Sequence, residues 1–259
     1  MRSRRPSGLV VYSAFVFLFL FAPIAVVVLF SFNASQSLTL PFGGFSLRWY
    51  RFVLDSPVYR QAIGASLQIG VVTVVGVTVL GTLAALGLAR YPLKAGSPLR
   101  ALLLVPATLP GLFIGLALLS FFVQAGIPLT LWTVALGHLV YTLPYFFLVA
   151  NSRLQRFDYL LLESANDLGA GPWQAFRKVT LPLIAPSLVA AALVTLSLSW
   201  DEVFITFFTI GSRNTLPLVI YSTVKQSVSP AVNAISTLLL AGSLAFVFVV
   251  RRFVADLQG

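Results

Sequence analysis

The chain has 259 residues, of which 58% are hydrophobic and 9% charged, with a net charge of +10 and no cysteine. That composition excludes a soluble globular protein, and the missing cysteine excludes disulfides, thiolate metal sites and a cysteine nucleophile. The basic residues flank apolar runs rather than alternate with exposed aromatics, so they point to membrane orientation and not to nucleic acid.

Arg2, Arg4 and Arg5 precede an apolar run over about 9–32. About 20 apolar residues cross roughly 30 Å of hydrocarbon, so this run suffices. It is too long for a secretory signal core and no small-residue cleavage site follows, which predicts an uncleaved first span with a cytoplasmic N-terminus. A polar connection over 33–57 comes next. Near its end Phe45, Trp49, Tyr50, Val53 and Leu54 fall on one helical side and Arg48 and Arg51 on the other. This predicts a short helix at the outer interface.

Further spans are predicted over about 61–88, 101–122, 130–150, 187–210 and 231–250. The second is rich in Gly, Ala, Thr and Val, which permits close helix approach. The third contains Pro106, Pro110, Gly111 and Gly115, tolerated in a span where neighbouring helices or a cavity satisfy the freed backbone. His138, the single histidine, sits in the apolar run of the fourth and reads as a packing residue bonded to a neighbour. The predicted fold class is an all-α integral membrane protein: one transmembrane domain over 1–259, six helices and both termini cytoplasmic. This topology puts twelve of the seventeen Lys and Arg inside and leaves Arg48, Arg51, Arg60, Arg213 and Lys225 outside.

The longest cytoplasmic connection, 152–186, holds two short helical patterns joined at a glycine. Asp158 can cap the first, and Leu161, Ala165 and Leu168 recur on one face. Gly169 follows where a left-handed turn needs a residue without Cβ. Pro172 suits a first helical position, Phe176 and Val179 mark an apolar side, and Pro182 and Pro186 are expected to close the second helix. A narrow apolar ridge in such a loop suits docking on another protein.

Within it, Glu163-Ser164-Ala165, Gly169 six residues after the Glu, then Val179, Leu181 and Pro182, resemble the EAA loop of permease subunits in binding-protein-dependent ABC importers. Ser164 stands where the family pattern has Ala, and Val179 where it has Ile. The resemblance implies a type I, MetI-like permease in the bacterial inner membrane. It also implies that Glu163, Ser164, Ala165, Asp167, Leu168, Gly169 and Ala170 form the helix that couples to the ATPase. The implied partners are a second homologous permease, two copies of an ABC ATPase and a periplasmic or extracellular substrate-binding protein. ATP and Mg would lie on the ATPase, with no cofactor in this chain.

The polar residues that carry most information lie in the fifth span, at Trp200-Asp201-Glu202. Counting about 1.5 Å per residue from Ser187 places Asp201 roughly 20 Å in, past the midplane. A carboxylate near the bilayer centre costs on the order of 2.5–3.5 kcal/mol on insertion scales. Two in succession without a Lys or Arg in the span imply either a water-filled cation path or a structural polar network. Adjacent helical residues point about 100° apart, which argues against both facing one cavity. Trp200 is placed to hold an amine by cation–π contact, with Tyr221, Trp49, Trp132 and Tyr141 weaker candidates, and Trp200 and Tyr221 are counted with the acidic pair in the path.

No Walker sequence, nucleophile–histidine–carboxylate set or metal cluster is present, so the chain reads as a transport subunit and not an enzyme. Beyond the loop, Arg48-Trp49-Tyr50, Leu216-Pro217-Leu218 and the stretch from Val228 to Ala234 resemble permeases of spermidine/putrescine importers, as does the acidic pair. That implies a polyamine cargo. One departure is Gly111, where such permeases carry an acidic residue, and it keeps another amine, an opine or an aminophosphonate open. A different class, the ion-driven secondary transporter, would show paired half-repeats and leave the docking loop unexplained.

Overall fold

The computed structural model describes residues 8–36, 41–90, 98–226 and 229–256. Arg2, Arg4, Arg5, Lys94 and Val228 lie outside the described residues. In chain order the helices are α1 (Gly8–Ser31), α2 (Arg48–Asp55), α3 (Pro57–Arg90), α4 (Pro98–Leu104), α5 (Gly111–Gln124), α6 (Leu131–Leu154), α7 (Leu160–Asp167), α8 (Pro172–Ala175), α9 (Leu181–Asp201), α10 (Phe204–Thr209), α11 (Leu216–Gln226) and α12 (Pro230–Asp256). Among the described residues the one β feature is an isolated bridge from Asn33 to Phe45.

Among the described residues four helical runs are long and apolar enough to cross a membrane: α1, α3, α6 and the stretch Pro172–Asp201. A fifth is the broken pair Pro98–Thr108 and Gly111–Gln124, whose halves meet at 113°. The sequence predicts one continuous span there. Instead Leu109 is extended (φ −100°, ψ 133°) ahead of Pro110, whose ring disfavours helical backbone in the residue before it. The apolar part of α12, Pro230–Ala245, is shorter than these.

The chain divides into two compact units. The first comprises Met1–Arg60 and Ile220–Arg251. Its polar knot is Asn33, whose Oδ1 accepts the N–H groups of Ser35 and Gly43 and whose carbonyl accepts Trp49 Nε1–H at 2.8 Å. Arg48 donates to the Ala34 carbonyl and lies 4.5 Å over the Trp49 ring. The α2 helix therefore packs through Trp49 and Val53, both buried. Phe45 and Leu54, expected on that side, are exposed. The Trp49 ring is buried with the Arg48 guanidinium over it.

The second unit comprises Gln61–Val219 and Arg252–Gly259. Its core is the long contact of α6 with α9, where Phe146, Phe147, Leu154, Ile184 and Ala191 are buried with Val77 and Ala85 of α3. In lipid such packing rests on close contact rather than on removal of apolar area from water. Pro182 and Pro186 do not end a helix, contrary to the sequence expectation. A π turn at Phe176–Thr180 precedes Pro182, widening the coil just before a residue that cannot donate an N–H, and the helix runs on to Asp201.

Candidate functional site

Two features of the second unit carry function-bearing geometry. The first is the helical loop after α6. Asp158 Oδ1 accepts the Leu160 N–H at 3.0 Å and starts α7. At the other end Gly169 has φ +83°. The Gly169 N–H reaches the Asn166 carbonyl and the Ala170 N–H the Ala165 carbonyl at 3.0 Å, the paired bonds of a Schellman cap. Leu162 of α7, with Val179 and Leu181, packs on the core beneath, beside buried Phe157.

With α7 anchored that way, its other side stands free. Leu160 is 65% exposed, Leu168 89% and Trp173 68%, and Leu161 is exposed beside them. Glu163, Ser164 and Asp167 are exposed too, while Ala165 and Ala170 are half-buried at the cap. The predicted ridge thus has Leu161 and Leu168 outward, held by Leu162 below.

The second feature is a helix break that no proline or glycine marks. α9 stops at Asp201, Glu202 takes an extended backbone (ψ 105°), and α10 begins at Phe204. The sequence expectation of one span over 187–210 is therefore wrong at this point. The Glu202 carboxylate replaces the lost ladder, its Oε1 accepting the Ile205 N–H at 2.9 Å. A charge-assisted bond of this kind to backbone contributes about 1.5–3 kcal/mol.

The break is clamped from α6 by His138, which is buried. Its Nδ1 lies 2.8 Å from Ser199 Oγ on α9 and its Nε2 2.9 Å from Thr206 Oγ1 on α10. Thr206 Oγ1 donates its one proton to the Glu202 carbonyl at 2.9 Å, so Nε2–H must be the donor to Thr206, and Nδ1 accepts from Ser199. The histidine is a packing residue bonded to neighbours, as the sequence suggests, and here it spans both sides of the break. His138→Leu would leave the buried Ser199 hydroxyl without its acceptor, at about 1–3 kcal/mol, and take from Thr206 one of its two bonds while the one to the Glu202 carbonyl stays. A clear drop in the thermal unfolding midpoint of the purified complex is expected, and an unchanged midpoint would refute the clamp.

α5 approaches this region through small residues. A Cβ on Gly115 would lie 3.1 Å from Ile205 Cα, and one on Gly111 would lie 2.8 Å from both Glu202 carboxylate oxygens. The helix break before Gly111 and the one at Glu202 are therefore neighbours, with the carboxylate over the glycine. Trp200, Glu202 and His138 line a crevice of about 10 Å³, close to the volume of a single water.

The four predicted path residues are distributed unequally. Trp200 and Glu202 are half-buried beside that crevice, whereas Asp201 is exposed, so the two carboxylates diverge. Tyr221 belongs to the first unit, where Lys225 Nζ sits 5.3 Å from its ring centre. Tyr141 pairs edge-on with Tyr145 on α6. Neither the His138 bonds across the break nor the approach of Gly111 to Glu202 is legible in the sequence, although an acidic pair in an apolar run marks the place.

Comparison with known proteins agrees with this architecture. Residues 77–258 match the family described as the binding-protein-dependent transport system inner membrane component. The chain is 34% identical over 242 residues to the spermidine/putrescine transport system permease protein PotC of Escherichia coli (strain K12), covering 93% of this chain and 91% of that one. It is 36% identical over 235 residues to the putrescine transport system permease protein PotI of the same strain, covering 86% and 82%. Among solved structures, a bacterial ABC transporter involved in the import of the acidic polysaccharide alginate aligns with TM-score 0.76 at 16% identity, over 98% of this chain and 99% of that chain. That likeness shows the all-helical, MetI-like fold. The chain belongs to the binding-protein-dependent inner membrane component family and is an inner-membrane permease subunit of an ABC importer, a transport component whose ATPase is a separate subunit.

Proposed function

We propose that this permease imports polyamines and that its path for the cation runs past Asp201 and Glu202. The observation that carries the reading is the break at Glu202, which exposes one carboxylate and holds the next at the meeting point of two interrupted helices. Backbone freed in this way is characteristic of a substrate path and not of a lipid-facing surface. The similarity to PotC and PotI supports the same cargo class.

The full arrangement in this reading is one transmembrane domain with six spans and both termini in the cytoplasm. It pairs with a second homologous permease, two ATPase copies that hold ATP and Mg, and a binding protein. Glu163, Ser164, Ala165, Asp167, Leu168, Gly169 and Ala170 seat in the ATPase. ATP-driven closure of the ATPase pair moves α7 as a rigid lever, and the helices behind it tilt between inward- and outward-open states. Trp200 completes the path by offering its ring face to an amine. In the present conformation the crevice at Glu202 is too small for such a cargo, so its passage requires that tilt.

The test is substrate-stimulated ATP hydrolysis by the reconstituted complex, comparing wild type with Asp201→Asn. The binding protein is loaded in turn with spermidine, putrescine and a zwitterionic aminophosphonate. Stimulation by polyamines alone, with uptake at least tenfold lower in Asp201→Asn, is expected. Stimulation by the zwitterion, or no effect of the substitution, would keep the importer and discard the polyamine path. Gly111, which leaves the break before α5 without a carboxylate of its own, is the specific reason to include the zwitterion. Uptake in vesicles without ATP would instead place the protein among ion-driven transporters.

A further inference from the structure

A second cavity lies apart from the helix breaks. It measures about 720 Å³, within the roughly 300–1,000 Å³ of ligand-binding clefts. Leu67 and Val71 of α3 and Leu131 and Ala135 of α6 form apolar walls, and Trp132, Ser212 and Arg213 make an exposed, polar end.

Its level in the membrane follows from α6. That helix has 24 residues, so it is about 36 Å long at about 1.5 Å per residue, close to the bilayer's hydrocarbon thickness. The cavity adjoins its first turn, and the α7 loop follows its last. Cavity and loop therefore lie at opposite membrane faces, and Trp132 sits at the depth where tryptophan favours the headgroup boundary.

The rim is preformed. Thr130 Oγ1 accepts the Trp132 N–H, and Thr133 Oγ1 accepts the Thr130 N–H, a capping box. Thr133 Oγ1 also lies 2.8 Å from the Thr209 carbonyl, tying the start of α6 to the end of α10. Gly211 passes so close to the Leu129 carbonyl that a Cβ would collide with it. Arg213 is thus carried on a loop fixed at its base, and no carboxylate lines the cavity to neutralise it.

We propose that this cavity is a binding site for one anionic phospholipid. The phosphate diester lies on Arg213, with Ser212 and Thr130 as hydroxyl donors, and an acyl chain runs along Leu67, Val71 and Ala135. The guanidinium fork matches a phosphate in shape and charge. A transmembrane helix from a partner chain would fill the apolar walls equally well but would leave Arg213 uncompensated at the rim. Charge decides for the lipid.

The site is tested on the whole importer complex, extracted in mild detergent from membranes containing phosphatidylglycerol and phosphatidylethanolamine. Retained lipid is counted by native mass spectrometry. Wild type should keep phosphatidylglycerol in preference, and Arg213→Gln should lower that retention at least fivefold. Val71→Trp, which fills the cavity from the exposed side of α3, should do the same. Arg156→Gln, an exposed arginine just past the end of α6 opposite the cavity, should not. Equal retention in all four proteins would overturn the proposal. So would retention of both lipids alike, or a crosslink from position 67 that captures the second permease instead of lipid. Because lipid retention is read, the result is independent of cargo and of Asp201.

Discussion

Gly169→Val is expected to lower uptake by the reconstituted importer more than tenfold while the permease still assembles with its ATPase. The reason is conformational. At φ +83° a β-branched residue is a true outlier, and forcing it there costs on the order of 1–3 kcal/mol. Nothing lies within 4 Å of the position a Cβ would take, so steric overlap contributes nothing. The chain has a cheaper course, which is to unwind the cap. The bonds from Gly169 to Asn166 and from Ala170 to Ala165 are then lost, and Leu160, Leu161 and Leu168 no longer hold their common outward geometry. A lever that bends at its end transmits no closure. Gly169→Asn, which tolerates the left-handed region, should retain most uptake. ATP hydrolysis measured with uptake separates the outcomes: hydrolysis without uptake marks uncoupling, whereas wild-type uptake in the valine variant would remove α7 as the coupling element.

Gly111→Val is expected to have a comparably large effect by a different route. Its Cβ would fall 2.8 Å from both oxygens of Glu202, and the carboxylate can swing aside because it is the end of a flexible side chain. The fold therefore survives. What is lost is the bond to the Ile205 N–H and the placement of the charge over the break between α9 and α10. Uptake should fall at least tenfold with assembly intact, and Glu202→Gln should reproduce most of that loss. In a double-mutant cycle the two substitutions should be strongly non-additive, since both act on one contact. Additive losses, or full uptake in Gly111→Val, would show that Glu202 does not depend on the glycine.

The loop after α6 was almost wholly legible from local chemistry. Asp158 as a cap, Gly169 in a left-handed turn and Pro172 at a helix start are choices made by neighbouring atoms, and the structure places all three accordingly. Pro182 and Pro186 misled for an equally local reason: a proline's missing N–H does predict a stop. A π turn upstream re-registered the backbone, and packing of Ile184 and Leu188 on α6 held the helix straight through. Long-range packing outweighed a local signal.

The sequence by itself determined that the chain is helical and membrane-embedded, because apolar length is a property of consecutive residues and the bilayer reads it directly. It also located the acidic pair and the helical loop after α6, since charges in apolar runs and helix caps are local signals. The tertiary structure alone decided that the helix opens at Glu202. Nothing in Trp200-Asp201-Glu202-Val203 forbids a continuous helix. The break is stable because His138 on α6 bonds both its sides, and because Gly111 on α5 leaves room for the carboxylate that caps the new start. His138 and Gly111 lie 64 and 91 positions before Glu202 in the chain, and only folding brings them to the same few ångströms.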